Sequence, residues 1–245
     1  MKKVFLSLFS LAIIFLLGGN IEANAMSKEK SLDELYEDAK NGISDLSEVE
    51  MEKMIGKNKV IITPLPEQNN FSTFNMNNLT SDVSPIVDTY STAQIVESGT
   101  DSEIAAVTSF YDISFETDKN QKLINTFGIA TQPDNVTDSK KAVRAYSTIY
   151  VESTTAGKRL TKVTGGWTKL DTSVALSDRK VVYGTAGIPH SNNGTLKPSS
   201  DTFSITPSPA HTFVNTSVSY AIGMNSTATI RYSSSSWSVY LLNNY

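Results

Sequence analysis

Residues Phe213 to Leu242 read FVNTSVSYAIGMNSTATIRYSSSSWSVYLL. Val218, Tyr220 and Ile222 alternate with Ser217, Ser219 and Ala221. Ala228, Ile230 and Tyr232 alternate with Thr227, Thr229 and Arg231, and Trp237, Val239 and Leu241 alternate with Ser236, Ser238 and Tyr240. Strand side chains point to opposite faces with period two. The pattern therefore predicts three consecutive short strands of an antiparallel sheet, with one face packed and the other, rich in hydroxyls, wet. Gly223-Met224-Asn225 and Ser233 to Ser235 are the expected connections, because these residues tolerate turn geometry.

The same reading extends upstream. Val60 to Pro66 reads as a strand closed by prolines, Gln68 to Thr80 as a long Asn-rich loop, and Ile86 to Tyr90 and Thr92 to Glu97 as two short strands. Ala106 to Thr117 alternates strongly and is expected to pair with Leu123 to Ala130 across Thr117 to Asn120. Ala142 to Ser153 is apolar on both faces, which places it centrally, and Thr154 to Gly157 turns it into Lys158 to Thr164. Gly165-Gly166-Trp167 signals a bulge or a close backbone approach filled by the indole. Ser177-Asp178-Arg179 reads as a tight hairpin, Gly184 to Ser200 as loop and Thr202 to Thr206 as strand. Many short strands with regular turn signals predict an all-β fold: an antiparallel β-sandwich, jelly-roll-like or similar, over 59–245.

Residues 26–58 differ. Ser31 with Glu34, and Ser47 with Glu50, form two capping boxes. Leu32, Leu35, Tyr36 and Ala39 make the stripe of a first helix, and Met51, Met54 and Ile55 that of a second, with Gly42 and Gly56 as stops. The stretch is rich in Asp and Glu. Two readings stay open: a helical lead-in to the sandwich, or a propeptide that is removed or holds the main domain inactive.

The chain opens with Lys2 and Lys3, an apolar run from Val4 to Leu17, and the small-x-small site Ala23-Asn24-Ala25. Residues 1–25 are therefore expected to be a secretory signal peptide, with the mature protein released outside the cell. The formal net charge is -4, and loss of the leader removes two lysines and one glutamate, leaving a slightly more acidic chain. Such a chain is a poor partner for nucleic acid. With no cysteine, disulfide scaffolds, thiolate zinc sites and cysteine nucleophiles are excluded, a usage that suits export by a Gram-positive bacterium.

Chemistry is sparse. The two histidines, His190 and His211, lie in proline-containing loops and lack the spacing of a metalloprotease helix. A Gly-x-Ser-x-Gly elbow is absent. Asp112 and Glu116 share the polar face of the strongest strand and are the one carboxylate pair on which a glycan hydrolase could be built, against an ordinary solvated sheet face. Calcium oxygens near Asp118 to Asn120 or Asp134-Asn135 lack a twelve-residue calcium loop. No catalytic residue, metal ligand or cofactor is assigned. Trp167, Trp237, Tyr232 and Tyr240 are the candidate binding residues, suited to stacking on sugar rings or to a membrane interface, with simple core packing as the alternative.

Two settings produce strands with hydroxyl-lined outer faces: an ordinary secreted sandwich, and a protein whose amphipathic hairpins convert to a transmembrane barrel. The export signal, the acidic lead-in, Gly165-Gly166-Trp167 and the closing Ser233-Ser234-Ser235-Ser236-Trp237 together give a layout similar to that of large, cysteine-free bacteriocins of Gram-positive bacteria, of the geobacillin kind. The resemblance covers size and architecture and transfers no functional residue. It implies a non-enzymatic antibacterial protein acting on the membrane or envelope of target cells, with homo-oligomers left open. The alternatives are a surface or carbohydrate-binding β-sandwich module and a glycan hydrolase.

Overall fold

A computed structural model describes residues 25–66, 83–117 and 141–245. The leader up to residue 24, the Asn-rich loop, the Leu123 to Ala130 strand and the two calcium candidates lie outside the described residues. In chain order the elements are β1 (Ala25–Met26), α1 (Leu32–Lys40), α2 (Glu48–Ile55), β2 (Lys59–Leu65), β3 (Val83–Ser98), β4 (Ser102–Thr117), β5 (Lys141–Thr154), β6 (Gly157–Lys169), β7 (Val174–Ala186), β8 (Asn192–Leu196), β9 (Thr202–Ile205), β10 (Ala221–Tyr232) and β11 (Ser235–Asn244).

The strands form two antiparallel sheets. Sheet A runs β1-β3-β4-β5-β6-β9 and sheet B runs β2-β11-β10-β7-β8. The expected all-β sandwich with a short helical preface is what the chain forms, and β3 to β6 make a meander within one sheet. The odd-numbered side chains of β4 and β5, such as Val107, Tyr111, Ile113, Val143 and Ile149, are buried, and they face the even-numbered ones of β10 and the odd-numbered ones of β11. The interior divides into two apolar clusters, one around Val107, Ile149, Val163 and Ile222, the other around Tyr111, Ile113, Val143 and Ile230. Polar ties cross between the sheets where the clusters meet. Asn243 Nδ2 donates to the Ser147 carbonyl at 2.9 Å, Tyr111 Oη donates to the Leu242 carbonyl at 3.0 Å, and Trp167 Nε1 donates to Ser226 Oγ at 3.1 Å. A buried polar bond between the sheets fixes their register.

Three expectations are corrected. The closing stretch makes two strands, not three: Gly223-Met224-Asn225 lies inside β10, and one register runs from Gly223↔Asn244 to Tyr232↔Ser235. The reason is phase. Ile222, Met224, Ser226, Ala228 and Ile230 all point inward, so the alternation continues through the glycine. Phe213 to Tyr220 lies outside the strands, tied back by the Lys158↔Val214 bridge. The second correction concerns Ser177-Asp178-Arg179, which is a bulge in β7 opposite Thr227 to Thr229, with Asp178 at φ 51°. A hairpin there would separate Leu176 from Val181, and both are needed in one wall. Third, the two short strands predicted before residue 98 are one, β3, and the Gly184 to Ser200 loop holds the strand β8. At Gly165 the close-approach reading holds: a Cβ would run into the Phe203 ring and the Tyr146 carbonyl.

Both capping boxes form, with Ser31 and Ser47 at the N-caps of α1 and α2. The helices then part company. Met51 and Met54 of α2 are buried in the interior cluster between the sheets. Leu35, Tyr36 and Ala39 of α1 pack on the outer face of sheet A, in a third cluster with Phe110 that Tyr90 and Tyr146 flank.

Candidate functional site

The outer face of sheet A was expected to be solvated, yet much of it is covered. The register aligns its side chains in rows across β3, β4 and β5: Asp88, Asp112 and Arg144; Tyr90, Phe110 and Tyr146; Thr92, Thr108 and Thr148; Gln94, Ala106 and Tyr150. Thr92, Thr108, Phe110, Asp112, Thr148 and Tyr150 are buried. Their cover is the segment from Ala25 to Leu46, an excursion that leaves the edge of β3 and returns to it. It starts where Ala25 and Met26 pair with Ser98 and Glu97. Ser27 Oγ donates to the Ile95 carbonyl, and Gln94 brackets the backbone by donating to the Lys28 carbonyl and accepting from Lys30 N–H. Tyr150 donates its hydroxyl to Glu29. After α1, Asn41 caps the helix and Gly42 takes the left-handed φ of 67° that reverses the chain. Asp45 N–H then donates to the Ala93 carbonyl, and Thr92 Oγ1 donates to the Ile43 carbonyl.

Tyr36 is the centre of this strap. Its ring meets Phe110 edge to face at 5.2 Å and Tyr90 at 6.0 Å, and the Arg144 guanidinium lies 3.5 Å over its face. Its hydroxyl donates to Asp112 Oδ2 at 2.5 Å and accepts from Lys141 Nζ at 2.9 Å. Asp112 also takes Arg144 Nε on Oδ1 at 2.8 Å and Lys141 Nζ on Oδ2 at 2.6 Å, with its own side chain fully covered. Burial by itself would push the Asp112 carboxyl up. Hydrogen bonds from Arg144, Lys141 and Tyr36 outweigh burial and hold it below the ordinary carboxylate range. Burial, with the Asp112 hydrogen bond, pushes the Tyr36 phenol up. Lys141 would be pushed down by burial, but Asp112 reverses this and raises it. The cluster thus holds an ionised carboxylate, two cations and a neutral phenol at neutral pH.

This geometry relocates the residues singled out from the sequence. Asp112 is neutralised on both oxygens and Glu116 is exposed farther along the strand. Four residues of strand put the two about 13 Å apart, beyond the separation of a glycosidase pair, so this pair is no hydrolase site. Trp167 and Trp237 are each 2% exposed. Trp167 bonds Ser226 across the interior, and Trp237 and Tyr232 both stack on Phe115, at 4.9 and 4.7 Å, so neither indole offers a face to a sugar. The physical reason is phase again, since each Trp falls on the inward row of its strand. Tyr240 points outward from sheet B, between Thr227 and Ile61, and is half-buried. His190 is exposed. His211 is buried, bonded to Thr185 Oγ1 at 3.0 Å and stacked on Tyr183. Among the described residues no group of three or more metal-ligating side chains occurs, and no helix is long and apolar enough to cross a membrane.

Sequence reasoning missed Tyr36, Lys141 and Arg144. One signal was available: Asp112 stands among Phe110, Tyr111 and Ile113 in a strand apolar enough to be buried, and a carboxylate there demands cations. No family model matches the chain, and no curated protein and no solved structure matches it.

Proposed function

We propose that this chain is an exported antibacterial protein, without enzymatic activity of its own, that acts on the membrane or envelope of target cells. The observation that carries the reading is the β10–β11 hairpin. Ten paired positions join across the two-residue turn Ser233-Ser234. The inward face carries Met224, Ala228, Ile230, Trp237, Val239 and Leu241 together with the polar Ser226 and Asn243, all buried; the outward face carries Asn225, Thr227, Thr229, Ser236, Ser238 and Asn244 together with Tyr240 and Leu242, all half-buried. Strands of this length and two-sidedness match what a tilted membrane-spanning β-strand needs, with one row for lipid and one for water.

The chain lacks cysteine, which makes the test clean. Arg231 lies opposite Ala175 and Ser238 opposite Thr63, so Cys pairs at these positions tie the hairpin to β7 and to β2. Protein freed of its leader is expected to release dye from vesicles and to clear lawns of related bacteria; the oxidised locked forms are expected to do neither until reduced. Intact vesicles and unaffected lawns over a broad panel remove the reading, and equal leakage from locked and reduced forms removes the hairpin from it. A surface-binding module is the second reading, favoured by the aromatic and hydroxyl rows beneath the strap.

A further inference from the structure

We infer that the place now filled by Tyr36 is a binding site for a pyranose ring of a polysaccharide, kept closed by the Ala25 to Leu46 strap as a tethered stand-in. The inference concerns a ligand and its regulation, and it stands whether or not the protein kills.

The first support is what the site does to Tyr36. A six-membered ring lies against Phe110 and Tyr90 with a guanidinium over its face, and its one hydroxyl donates to a carboxylate while accepting from an ammonium. Those are the elements that recognise a sugar. Carbon-bound hydrogens of a pyranose pack on aromatic walls, and its hydroxyls bond in pairs to a charged acceptor and a charged donor. The neighbouring rows extend the same chemistry. Thr108 and Thr148 present hydroxyls 2.9 Å apart, and Tyr146 and Tyr150 flank them.

The second support is that the cluster lies apart from the interior between the sheets. It lies on the outer face of sheet A, outside both interior clusters. Burying a carboxylate with two cations is a weak source of stability compared with apolar packing, so the arrangement points to a recognition role.

The third support is that the strap is separable. At nine residues, α1 is shorter than an isolated helix needs to persist, and its buried side chains are Leu35, Tyr36 and Ala39. Both ends of the excursion sit on the edge of one strand, so the chain can swing clear without breaking another element. This also places the boundary of the removable piece. Met51 and Met54 belong to the interior, so a propeptide running to residue 58 would gut the core, whereas one ending in the exposed turn between α1 and α2 would not. Local opening of such low-contact segments is a general property of folded chains.

The test starts from Tyr36→Ala in the full-length protein, which empties the ring site and leaves the sandwich intact. Titration with dextran, mannan, xylan and chitooligosaccharides, read by calorimetry and by shifts of the Phe110 and Tyr90 ring resonances, is expected to show at least one of them binding at least tenfold tighter than to the unsubstituted protein. Added phenol should compete with it, and Asp112→Asn in the same background should abolish it. Where Tyr36→Ala does not fold, a protease site placed at Gly42 to Ser44 and cut after folding supplies the same comparison. The inference is overturned if neither form binds any member of the panel, if Asp112→Asn leaves binding unchanged, or if the emptied site is filled by the strap of a second copy, seen as a dimer that polysaccharide does not dissociate.

Discussion

The indole N–H of Trp167 on β6 donates to Ser226 Oγ on β10 at 3.1 Å, across the interior between the two sheets. Both residues are buried, so the bond has no competing water and each side chain depends on the other. Trp167→Phe is expected to lower stability by about 2 kcal/mol or more, from the void beside the smaller ring and from the unpaired serine hydroxyl. Ser226→Ala added to Trp167→Phe should recover about 1 kcal/mol of that loss, because it removes the orphaned group. Urea unfolding of the two single variants and the double measures this directly, and a double variant no more stable than Trp167→Phe would show that the hydroxyl is not what the indole serves.

Asp112 makes an acid-side prediction. Its folded-state pKa lies below the ordinary value because the hydrogen bonds from Arg144, Lys141 and Tyr36 outweigh burial. The unfolded chain therefore takes up its proton first as pH falls, and the stability that Asp112 contributes is complete above about pH 4 and is lost as pH drops through the lower folded value. The α1 backbone amides should stay protected from exchange at pH 5 and lose protection only well below pH 4. Asp112→Asn should remove that protection at neutral pH too and cost about 3 kcal/mol, the low end for a broken buried pair, since Lys141 and Arg144 reach solvent in part. An α1 that exchanges at one rate from pH 3 to pH 7 would contradict it.

His211 gives a second pH signature of the same sign by a different cause. Burial pushes its imidazole down, so the folded protein keeps it neutral where the unfolded chain protonates it. Stability should be complete above the ordinary histidine value of about 6.5 and decline as pH falls below it. His211→Gln, which can still hydrogen-bond Thr185 Oγ1, should flatten the decline between pH 6.5 and pH 5. A thermal melting series in that window, read for both proteins, decides it, and identical slopes would count against the assignment.

How much of this could be read from residues alone follows from how far each signal reaches. The capping boxes at Ser31 and Ser47 are four-residue motifs and formed as written. The alternation in β4 and β11 also marked inward and outward rows, because period two is local. Gly223 was misread because a glycine in a strand and a glycine in a turn look alike, and only the unbroken phase from Ile222 to Ile230 separates them. Of the covered site only the need of Asp112 for cationic partners was legible, and not which partners meet it. Asp112 is 76 residues from Tyr36 in the chain, and Lys141 is 105; their meeting depends on the register of three strands and on where a short helix lands. For the two tryptophans a sugar platform, a membrane interface and the core were all open readings, and their phase puts both in the interior.

The pairing of β2 with β11, from Lys59↔Leu242 to Leu65↔Ser236, has a temporal meaning. Among the described residues β2 has no other neighbour in its sheet, and β11 leaves the ribosome after every other described strand. β2 must wait for β11 before this pairing can form, and contacts so distant in sequence close slowly. Such a polypeptide stays threadable for a long time after synthesis begins, and its final architecture is a property of the finished chain only.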